Sequence, residues 1–298
     1  MSKIGTYFFR FLFETGDERR MKKLRQDLSD LSIRGDIPYM DDGDRGHLFD
    51  IYTLKQEDNN RPVMINIHGG GLFASYKEVN SNFNYEWARL GFNTVSISYR
   101  RIPEVYLKDQ VSDVMTALRY VFNHADELGL NMKNAFLTGD SAGALLSHFV
   151  LSINGSSKLQ EAFGEKALGF DFKAAGLISI FLDTQRNDLM KSVSDRVLAK
   201  GDENRAFAQY ILDPVLMVKD SVYPPMFLVT GKQDLIENDT LKYESAQKAS
   251  GTKVKLLSFP EGKERKLDHV FAVKFPKWPE SREVYKGMTE FFEEVCHG

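Results

Sequence analysis

The strongest constraint on the fold of this chain is one pentapeptide, Gly139-Asp140-Ser141-Ala142-Gly143. The apolar-leaning run 134–138 before it predicts a strand, and the apolar run 144–151 after it predicts a buried helix. A serine between two glycines at a strand-to-helix turn is typical of a nucleophile elbow, because only residues without bulk fit beside so sharp a turn. The alternative is an ordinary turn whose serine caps the following helix. An elbow would project the hydroxyl above a sheet, at the N-terminus of a helix.

Short apolar runs alternate with helical patterns along most of the chain. The run 63–67 is almost continuously apolar, which is typical of a strand buried on both faces of a sheet. Between such runs apolar residues recur at helical spacing, as in Val111, Val114 and Leu118. This alternation predicts an α/β fold with a mostly parallel central sheet and helices on both faces. We expect strands at residues 48–54, 63–67, 94–98, 134–138, 174–181, 226–230 and 254–259, and a last helix at 280–296.

Two stretches depart from this alternation. In the first, aromatic residues and a charged run precede Leu24, Leu28 and Leu31 at helical spacing, which predicts one or two amphipathic helices. Residues 183–222 are charged and helix-prone where a βαβ unit would need one helix. We expect residues 1–45 and 183–222 to form a helical cap over an α/β core of residues 46–182 and 223–298. The apolar positions expected to pack in the cap are Phe9, Leu12, Phe13, Leu189, Met190, Val193 and Val197.

Composition excludes several classes of function. The formal net charge of -3 over 298 residues gives no basic footprint for nucleic acid. The one cysteine, Cys296, cannot form an internal disulfide, which fits a reducing, cytoplasmic location. No apolar stretch approaches the length of a membrane span, and Arg10 interrupts the aromatic run 7–13. A membrane-surface helix at the N-terminus is disfavoured because acidic residues are mixed with the basic ones. We therefore expect no stable membrane anchor.

A glycine-rich loop follows the strand at 63–67. The sequence His68-Gly69-Gly70-Gly71 lets the backbone approach a ligand closely, so that its amides can point at a developing negative charge. Together with the amide of Ala142, beside the serine, such a loop would form an oxyanion hole. A phosphate cradle would need a lysine followed by serine or threonine, which is absent here. We interpret His68 as a structural residue that orients the loop.

A serine nucleophile needs a base within reach, and that base needs an anion to fix its tautomer. His269 is the one histidine in a loop that follows a strand after the serine, whereas His148 lies on the elbow helix and is expected to pack in the core. Asp234 stands just beyond the strand at 226–230, in the first turn after Gly231. Serine, acid and histidine in this chain order match the α/β-hydrolase triad. The competing acids are Glu237, Asp239 and Asp268.

Five motifs in this order resemble the hormone-sensitive lipase family of α/β-hydrolase serine esterases. They are the His68–Gly71 loop, the 99–104 stretch Tyr-Arg-Arg-Ile-Pro-Glu, the elbow, the Gly231-Lys232-Gln233-Asp234 turn after Pro224-Pro225, and His269. The resemblance runs from about residue 60 to the end of the chain. It implies a cofactor-free carboxylester hydrolase with no metal and with a helical cap. It also implies the catalytic triad Ser141, Asp234 and His269, with oxyanion amides from Gly69, Gly70 and Ala142.

The chain also departs from the family pattern. Ala144 stands where a second glycine usually follows the elbow, and Val270 stands where a glycine commonly follows the histidine. Arg101-Ile102 replace the middle of the tyrosine-to-glutamate stretch, and Asn238-Asp239 replace an Asp-Glu pair. No reacting group is lost by these changes. They alter the shape of the acyl and alcohol pockets.

These patterns together predict a serine carboxylester hydrolase that acts on small, short-acyl esters through an acyl-enzyme intermediate. An amidase or a sugar-ester deacetylase would use the same triad. A catalytically silent ligand-binding relative is a further alternative, but such relatives lose a triad member. The expected partner is a small-molecule ester, with no nucleic acid, and a homo-oligomer is left open.

Overall fold

The computed structural model describes residues 3–56, 60–185, 193 and 195–297. Within these residues eight strands form one sheet in the order β1-β2-β4-β3-β5-β6-β7-β8. Strand β2 is antiparallel to both of its neighbours, and every pairing from β4 to β8 is parallel. The predicted α/β-hydrolase fold, with its mostly parallel sheet, is therefore confirmed. The strands are β1 (Leu31–Pro38), β2 (Leu48–Leu54), β3 (Val63–Ile67), β4 (Asn93–Ile97), β5 (Ala135–Asp140), β6 (Ala174–Ile178), β7 (Met226–Gly231) and β8 (Val254–Phe259).

Helices connect the strands and cover both faces of the sheet. Short 3₁₀ turns at Arg45–His47, Lys77–Asn80, Met132–Asn134 and Pro214–Asp220 supplement them. No helix within the described residues is long and apolar enough to cross a membrane. The α-helices are α1 (Lys3–Lys23), α2 (Ser81–Arg89), α3 (Leu107–Asn123), α4 (Ala125–Leu128), α5 (Ala142–Asn154), α6 (Ser157–Phe163), α7 (Ala208–Leu212), α8 (Glu237–Ala249), α9 (Phe271–Lys274) and α10 (Pro279–His297).

The central strands are buried along their whole length and largely apolar because both of their faces are covered. Successive residues of a strand point to opposite faces, so each strand supplies two layers of core. Ile65 and Leu137 pack into a large cluster on the side of α3 and α5. Their chain neighbours Met64 and Phe136 pack on the other side, in a cluster that includes residues of α2 and α10. This double burial fixes the strands that carry the site.

The expectation of helix for all of residues 1–45 is wrong in one part. Residues 31–38 form β1, which pairs with β2 at the edge of the sheet. Of this strand only Leu31 is buried, so an edge position leaves almost no apolar signal in the sequence. The register shifts between Arg34 and Ile37, where Asp36 adopts φ 55°. Leu24, Leu28 and Leu31 therefore recur at helical spacing but do not lie in one helix, since α1 ends at Lys23 and Leu31 begins β1.

The second predicted cap stretch, residues 183–222, is only partly described. Leu189 and Met190 lie outside the described residues, whereas Val193 and Val197 are buried. The amide of Leu107, the first residue of α3, donates to the carbonyl of Val197 (3.2 Å). Helix α7 and the 3₁₀ turn Pro214–Asp220 lie in this stretch. The division of the chain into a core and a two-part cap stays a prediction.

Candidate active site

The predicted elbow lies between β5 and α5. Ser141 has φ 52° and ψ −118°, a conformation that is strained for a residue with a side chain. A Cβ atom on Gly143 would overlap the carbonyl oxygens of Ile67 and His68, so the helix can approach β3 this closely only with glycine at that position. The elbow therefore presents the serine hydroxyl at the carboxyl end of the sheet. Ala142, the first residue of α5, has an amide that lacks an intrahelical acceptor.

Ser141, His269 and Asp234 meet at this edge of the sheet. Oγ of Ser141 lies 2.9 Å from Nε2 of His269, and Nδ1 of His269 lies 2.9 Å from Oδ1 of Asp234. The carboxylate favours the tautomer with its proton on Nδ1, which leaves Nε2 free to accept from the serine hydroxyl. The three predicted residues thus form one continuous hydrogen-bonded chain.

Asp234 is held so that it stays ionised. Its side chain is buried, and Oδ1 also accepts a hydrogen bond from the amide of Ile236 (3.0 Å). Burial by itself raises the pKa of Asp234, but the hydrogen bond and charge of His269 outweigh it, helped by Ser179 and the Ile236 amide, so the net pKa falls below its usual value. An ionised carboxylate at this position can orient the imidazole and stabilise its protonated form.

The three competing acids have other partners. Oδ2 of Asp239 accepts from the amides of Leu182 (2.8 Å) and Asp183 (3.2 Å), which fixes the segment after β6. Glu237 pairs with Lys232 (3.0 Å), and Asp268 lies 3.5 Å from Nζ of Lys274. The structure therefore brings Asp234, of these four, to the histidine.

In the glycine loop after β3, the amide of Gly69 does not fit the oxyanion role that the sequence predicts. The amide of Gly69 donates to Oδ1 of Asp140 (3.0 Å), so it is already occupied. Gly70 and Gly71 have φ 122° and 61°, conformations that favour glycine. Their amides donate to no acceptor among the described residues. The free amides beside the serine are thus those of Gly70, Gly71 and Ala142, rather than those of Gly69, Gly70 and Ala142.

His68 and His148 are buried structural residues. The ring of His68 stacks on Tyr99 with 4.4 Å between ring centroids, and burial lowers its pKa to about 4. His148 bonds through Nε2 to the carbonyl of Pro214 (2.8 Å) and through Nδ1 to the hydroxyl of Tyr243 (3.0 Å). Burial lowers its pKa to about 4 as well. Both rings are therefore neutral at pH 7, and neither contacts Ser141.

Sequence reasoning missed three residues that support the site. Gln233 accepts from the amide of Leu267 (2.8 Å) through Oε1, and its backbone pairs with Asp268, which joins the loop of Asp234 to the loop of His269. Asn80 donates from Nδ2 to Asp140 (2.6 Å). Ser179 adopts φ 53° directly after β6, and its Oγ accepts from the amide of Val270 (3.4 Å). Their supporting contacts do not show in the sequence, even for Gln233 within the Gly231–Asp234 motif, because their partners come from distant parts of the chain.

A cavity of about 530 Å³ opens above the serine. Gly70, Ser141 and His269 line it from the core, and Phe9 and Phe13 line it from α1. Apolar side chains from the segments after β6, β7 and β8 form part of the remaining wall, together with charged residues such as Asp17, Lys266 and Asp268. Within the described parts of the chain, no group of three or more histidine, cysteine, aspartate or glutamate residues could hold a metal ion.

Comparison with known proteins gives a family and related ester hydrolases. The sequence model of the BD-FAE family matches residues 49–242. An isoprenylcysteine alpha-carbonyl methylesterase (ICME) of Arabidopsis thaliana is 25% identical over 70% of this chain and 52% of its own length. The probable carboxylic ester hydrolase LipM of Mycobacterium tuberculosis is 26% identical over 69% of this chain and 49% of its own. The chain thus spans about half the length of these curated relatives.

Solved esterase structures match almost the whole chain. Esterase B of Lactobacillus rhamnosis, inhibited by a C4-C4 SN3 tributyrin phosphonate, superposes with a TM-score of 0.89. The two sequences are 26% identical, and the match covers 97% of this chain and 94% of the other. Almost all of the chain therefore has a counterpart in a known structure.

Proposed function

The chain belongs to the BD-FAE family, and on this basis we propose that it is a serine carboxylester hydrolase with Ser141 as nucleophile, His269 as general base and Asp234 as triad acid. One observation carries the proposal. Both hydrogen bonds of a Ser-His-Asp chain are 2.9 Å long, and the serine and histidine line a cavity of about 530 Å³. Relatives named as ester hydrolases, and the inhibited esterase B of similar fold, support it.

The mechanism follows from the direction of these bonds. Oγ of Ser141 attacks the ester carbonyl carbon while Nε2 of His269 takes the hydroxyl proton. The tetrahedral intermediate collapses, and the imidazolium returns that proton to the leaving alcohol. Water, activated by His269, then attacks the acyl-enzyme and releases the carboxylic acid and free Ser141. Asp234 stays ionised throughout and stabilises the imidazolium.

We assign the oxyanion hole to the amides of Gly70, Gly71 and Ala142. The amides of Gly70 and Gly71 donate to no acceptor among the described residues, and the amide of Ala142 lies in the first turn of α5, where it has no intrahelical acceptor. Such amides cost little reorganisation because the loop and the helix hold them in place before the charge develops. Loss of one such donor typically costs about 2.7–4 kcal/mol of transition-state stabilisation.

The proposed substrates are small esters with short acyl chains. Phe9 and Phe13 of α1 stand across the cavity from the core and limit its length, and its walls are mostly apolar. Esterase B of similar fold is inhibited by a tributyrin phosphonate. A series of p-nitrophenyl esters of increasing acyl length measures this preference. We expect kcat/KM to fall once the acyl chain exceeds the length that the cavity holds.

The test of the proposal is Ser141→Ala, measured as ester turnover and as covalent labelling by a fluorophosphonate in a mass spectrum. We expect both to be lost while circular dichroism shows an intact fold. Ser75→Ala is the matched control, since Ser75 also lines the cavity but its Oγ lies near Asp17 (3.3 Å) rather than near a histidine. A folded Ser141→Ala protein that keeps turnover and labelling would overturn the assignment.

A further inference from the structure

Helix α1 turns a row of large apolar side chains away from the protein. Phe8 is 59% exposed and Phe11 is 65% exposed, and Tyr7 and Leu12 are also exposed. Four such side chains on two turns of one helix exceed the scattered exposed apolar residues of an ordinary surface. These four residues, 7, 8, 11 and 12, are the aromatic end of the outward face.

The cation that interrupts this run in the sequence does not reach the outward face. Arg10 is buried and donates to both carboxylate oxygens of Glu104 (2.7 Å each). It also donates to the carbonyl oxygens of Phe73 (2.5 Å) and Ile102 (2.6 Å). Arg10 therefore fastens the inner side of α1 to the core, and the aromatic end is continuous.

Two acidic residues of α1, Glu14 and Asp17, also face the protein rather than the outward side of the helix. Oε1 of Glu14 accepts from the amide of Ser75 (3.1 Å) and pairs with Arg101 (2.5 Å), and Asp17 pairs with Arg20 (3.1 Å) on the cavity side. Both acids thus point inward. A membrane-surface helix is disfavoured by the sequence because its acidic and basic residues are mixed, but the structure turns Glu14 and Asp17 inward and leaves Glu18 as the one exposed acid among the described residues of α1.

What remains outside is basic. Between residues 5 and 25 the exposed charged side chains are one acid, Glu18, and the four cations Arg19, Lys22, Lys23 and Arg25. Phe8 and Leu12 are four residues apart, and so are Arg19 and Lys23, seven residues further along. This spacing places the aromatic end and the basic end on one side of the helix.

We propose that the outward face of α1 docks reversibly on an anionic lipid surface. The aromatic end would enter the headgroup region, and the basic end would pair with lipid phosphates. Membrane-surface helices combine these two contributions, since neither alone gives stable attachment. Phe9 and Phe13 of the same helix line the cavity, so docking would place the helix that forms one wall of the cavity at the lipid surface.

Charge favours a lipid surface over a second copy of the chain. Pairing of the outward face of α1 with itself would bring together six cations, which are Arg19, Lys22 and Lys23 of each copy, with only the two Glu18 side chains to neutralise them. An anionic membrane supplies the opposite charge. The proposal does not depend on the catalytic roles, because binding can be measured with the Ser141→Ala protein.

The experiment is flotation of the full chain with vesicles of phosphatidylcholine alone or mixed with phosphatidylglycerol. One variant, Phe8→Ser/Phe11→Ser/Leu12→Ser, removes the aromatic end, and another, Arg19→Gln/Lys22→Gln/Lys23→Gln, removes three cations. The matched control, Lys242→Gln/Lys248→Gln/Lys286→Gln, removes three exposed cations from α8 and α10. Circular dichroism and size-exclusion chromatography check that each variant keeps its fold and assembly.

We expect binding to the mixed vesicles, little binding to phosphatidylcholine alone, and release when salt of about 1 M shortens the Debye length to about 3 Å. Removal of the three α1 cations should weaken partitioning roughly 100-fold, at about fivefold per cation. The aromatic variant should bind weakly, and the control should bind like the wild type. The proposal fails if the wild type does not bind, if either α1 variant binds like the control, or if the aromatic variant instead dissociates a dimer.

Discussion

The amide nitrogen of Gly69 lies 3.0 Å from Oδ1 of Asp140, so one hydrogen bond joins the glycine loop after β3 to the elbow after β5. The same carboxylate oxygen accepts from Nδ2 of Asn80 (2.6 Å), which also donates to Oδ1 of Asn66 on β3 (3.0 Å). Burial raises the pKa of Asp140 above its usual value, although the bonds from Asn80 and Gly69 oppose this rise. Asp140 thus positions the loop whose next two residues, Gly70 and Gly71, line the cavity.

Asp140→Ala should impair both stability and turnover. It would leave the Gly69 amide without an acceptor at a buried site and would remove one of the two acceptors of Asn80 Nδ2, at a cost of about 1–3 kcal/mol of unfolding free energy. The loop would lose its tie to the elbow, so we expect kcat to fall more than KM rises. Asp140→Asn keeps an acceptor oxygen and is the matched control. Denaturant unfolding measures the loss of stability, and ester kinetics measure the loss of turnover. An Asp140→Ala protein with wild-type kcat would contradict the positioning role.

Asp234→Asn should cost the most activity among the candidate acids. The side-chain amide of Asn would still form a hydrogen bond with His269 but would not hold the imidazole in the required tautomer. The same substitution in a serine protease triad lowers kcat by a factor on the order of 10⁴. Asp239→Asn should mainly affect the segment after β6, whose amides it holds, and Asp268→Asn should have a small effect. The measurement is kcat/KM for one ester across the three variants. A greater loss at Asp268 would reassign the acid.

The sequence located the parts of the site whose signals are local. Ser141 and Asp234 each follow a buried strand, and His269 lies in the loop after the edge strand β8. A parallel sheet brings the carboxyl ends of its strands to one edge. Their proximity follows from topology once the strands are assigned. The alternating strands and helices were equally clear because each central strand is apolar on both faces.

Other features depend on contacts that a sequence does not record. Strand β1 was mistaken for helix because an edge strand with one buried residue has no apolar alternation. Gly69 was assigned to the oxyanion hole because three consecutive glycines look equivalent, and only its bond to Asp140 separates it from Gly70. The contact between Gln233 and Leu267 joins residues 34 positions apart. Which charged side chains of α1 face inward also depends on distant contacts, such as the hydrogen bonds from Arg10 to Glu104.

Buried histidines should make the fold sensitive to mild acid. Burial lowers the pKa of both His68 and His148 from 6.5 to about 4. Between these values the unfolded chain binds protons that the native protein does not, so the unfolding free energy falls as pH falls from about 6.5 to about 4. The slope is up to about 1.4 kcal/mol per pH unit for each histidine, and the stability is fully present above the unfolded pKa.

His148→Gln tests this dependence, because it removes one of the two groups while an amide can still donate to the Pro214 carbonyl. We expect the difference in unfolding free energy between wild type and variant to shrink as pH falls through this window. His297→Gln, which changes an exposed histidine, is the control. Denaturant titrations at several pH values give the slopes. Equal slopes in the wild type and His148→Gln would show that His148 does not contribute.

The last prediction concerns α1 as a wall of the cavity. Deleting residues 1–25 would remove Phe9 and Phe13 from the cavity lining, and with them the clamp between Arg10 and Glu104. The core should remain folded, because β1 begins at Leu31 and keeps its pairing with β2. Since the open cavity would admit water and longer chains, we expect turnover of short esters to fall and the acyl-length preference to broaden or shift.

Arg10→Ala separates the position of α1 from its presence. It keeps both phenylalanines but removes the bonds to Glu104, Phe73 and Ile102, so it should change the acyl-length profile in the same direction as the deletion, to a smaller extent. Arg19→Ala, on the outward face, is the matched control and should leave hydrolysis of dissolved esters unchanged. Rates for p-nitrophenyl esters of increasing length measure all three proteins. If the truncated protein folds and its acyl-length profile is unaltered, α1 does not form a wall of the acyl site, because removing Phe9 and Phe13 would then have no effect on which chain lengths fit.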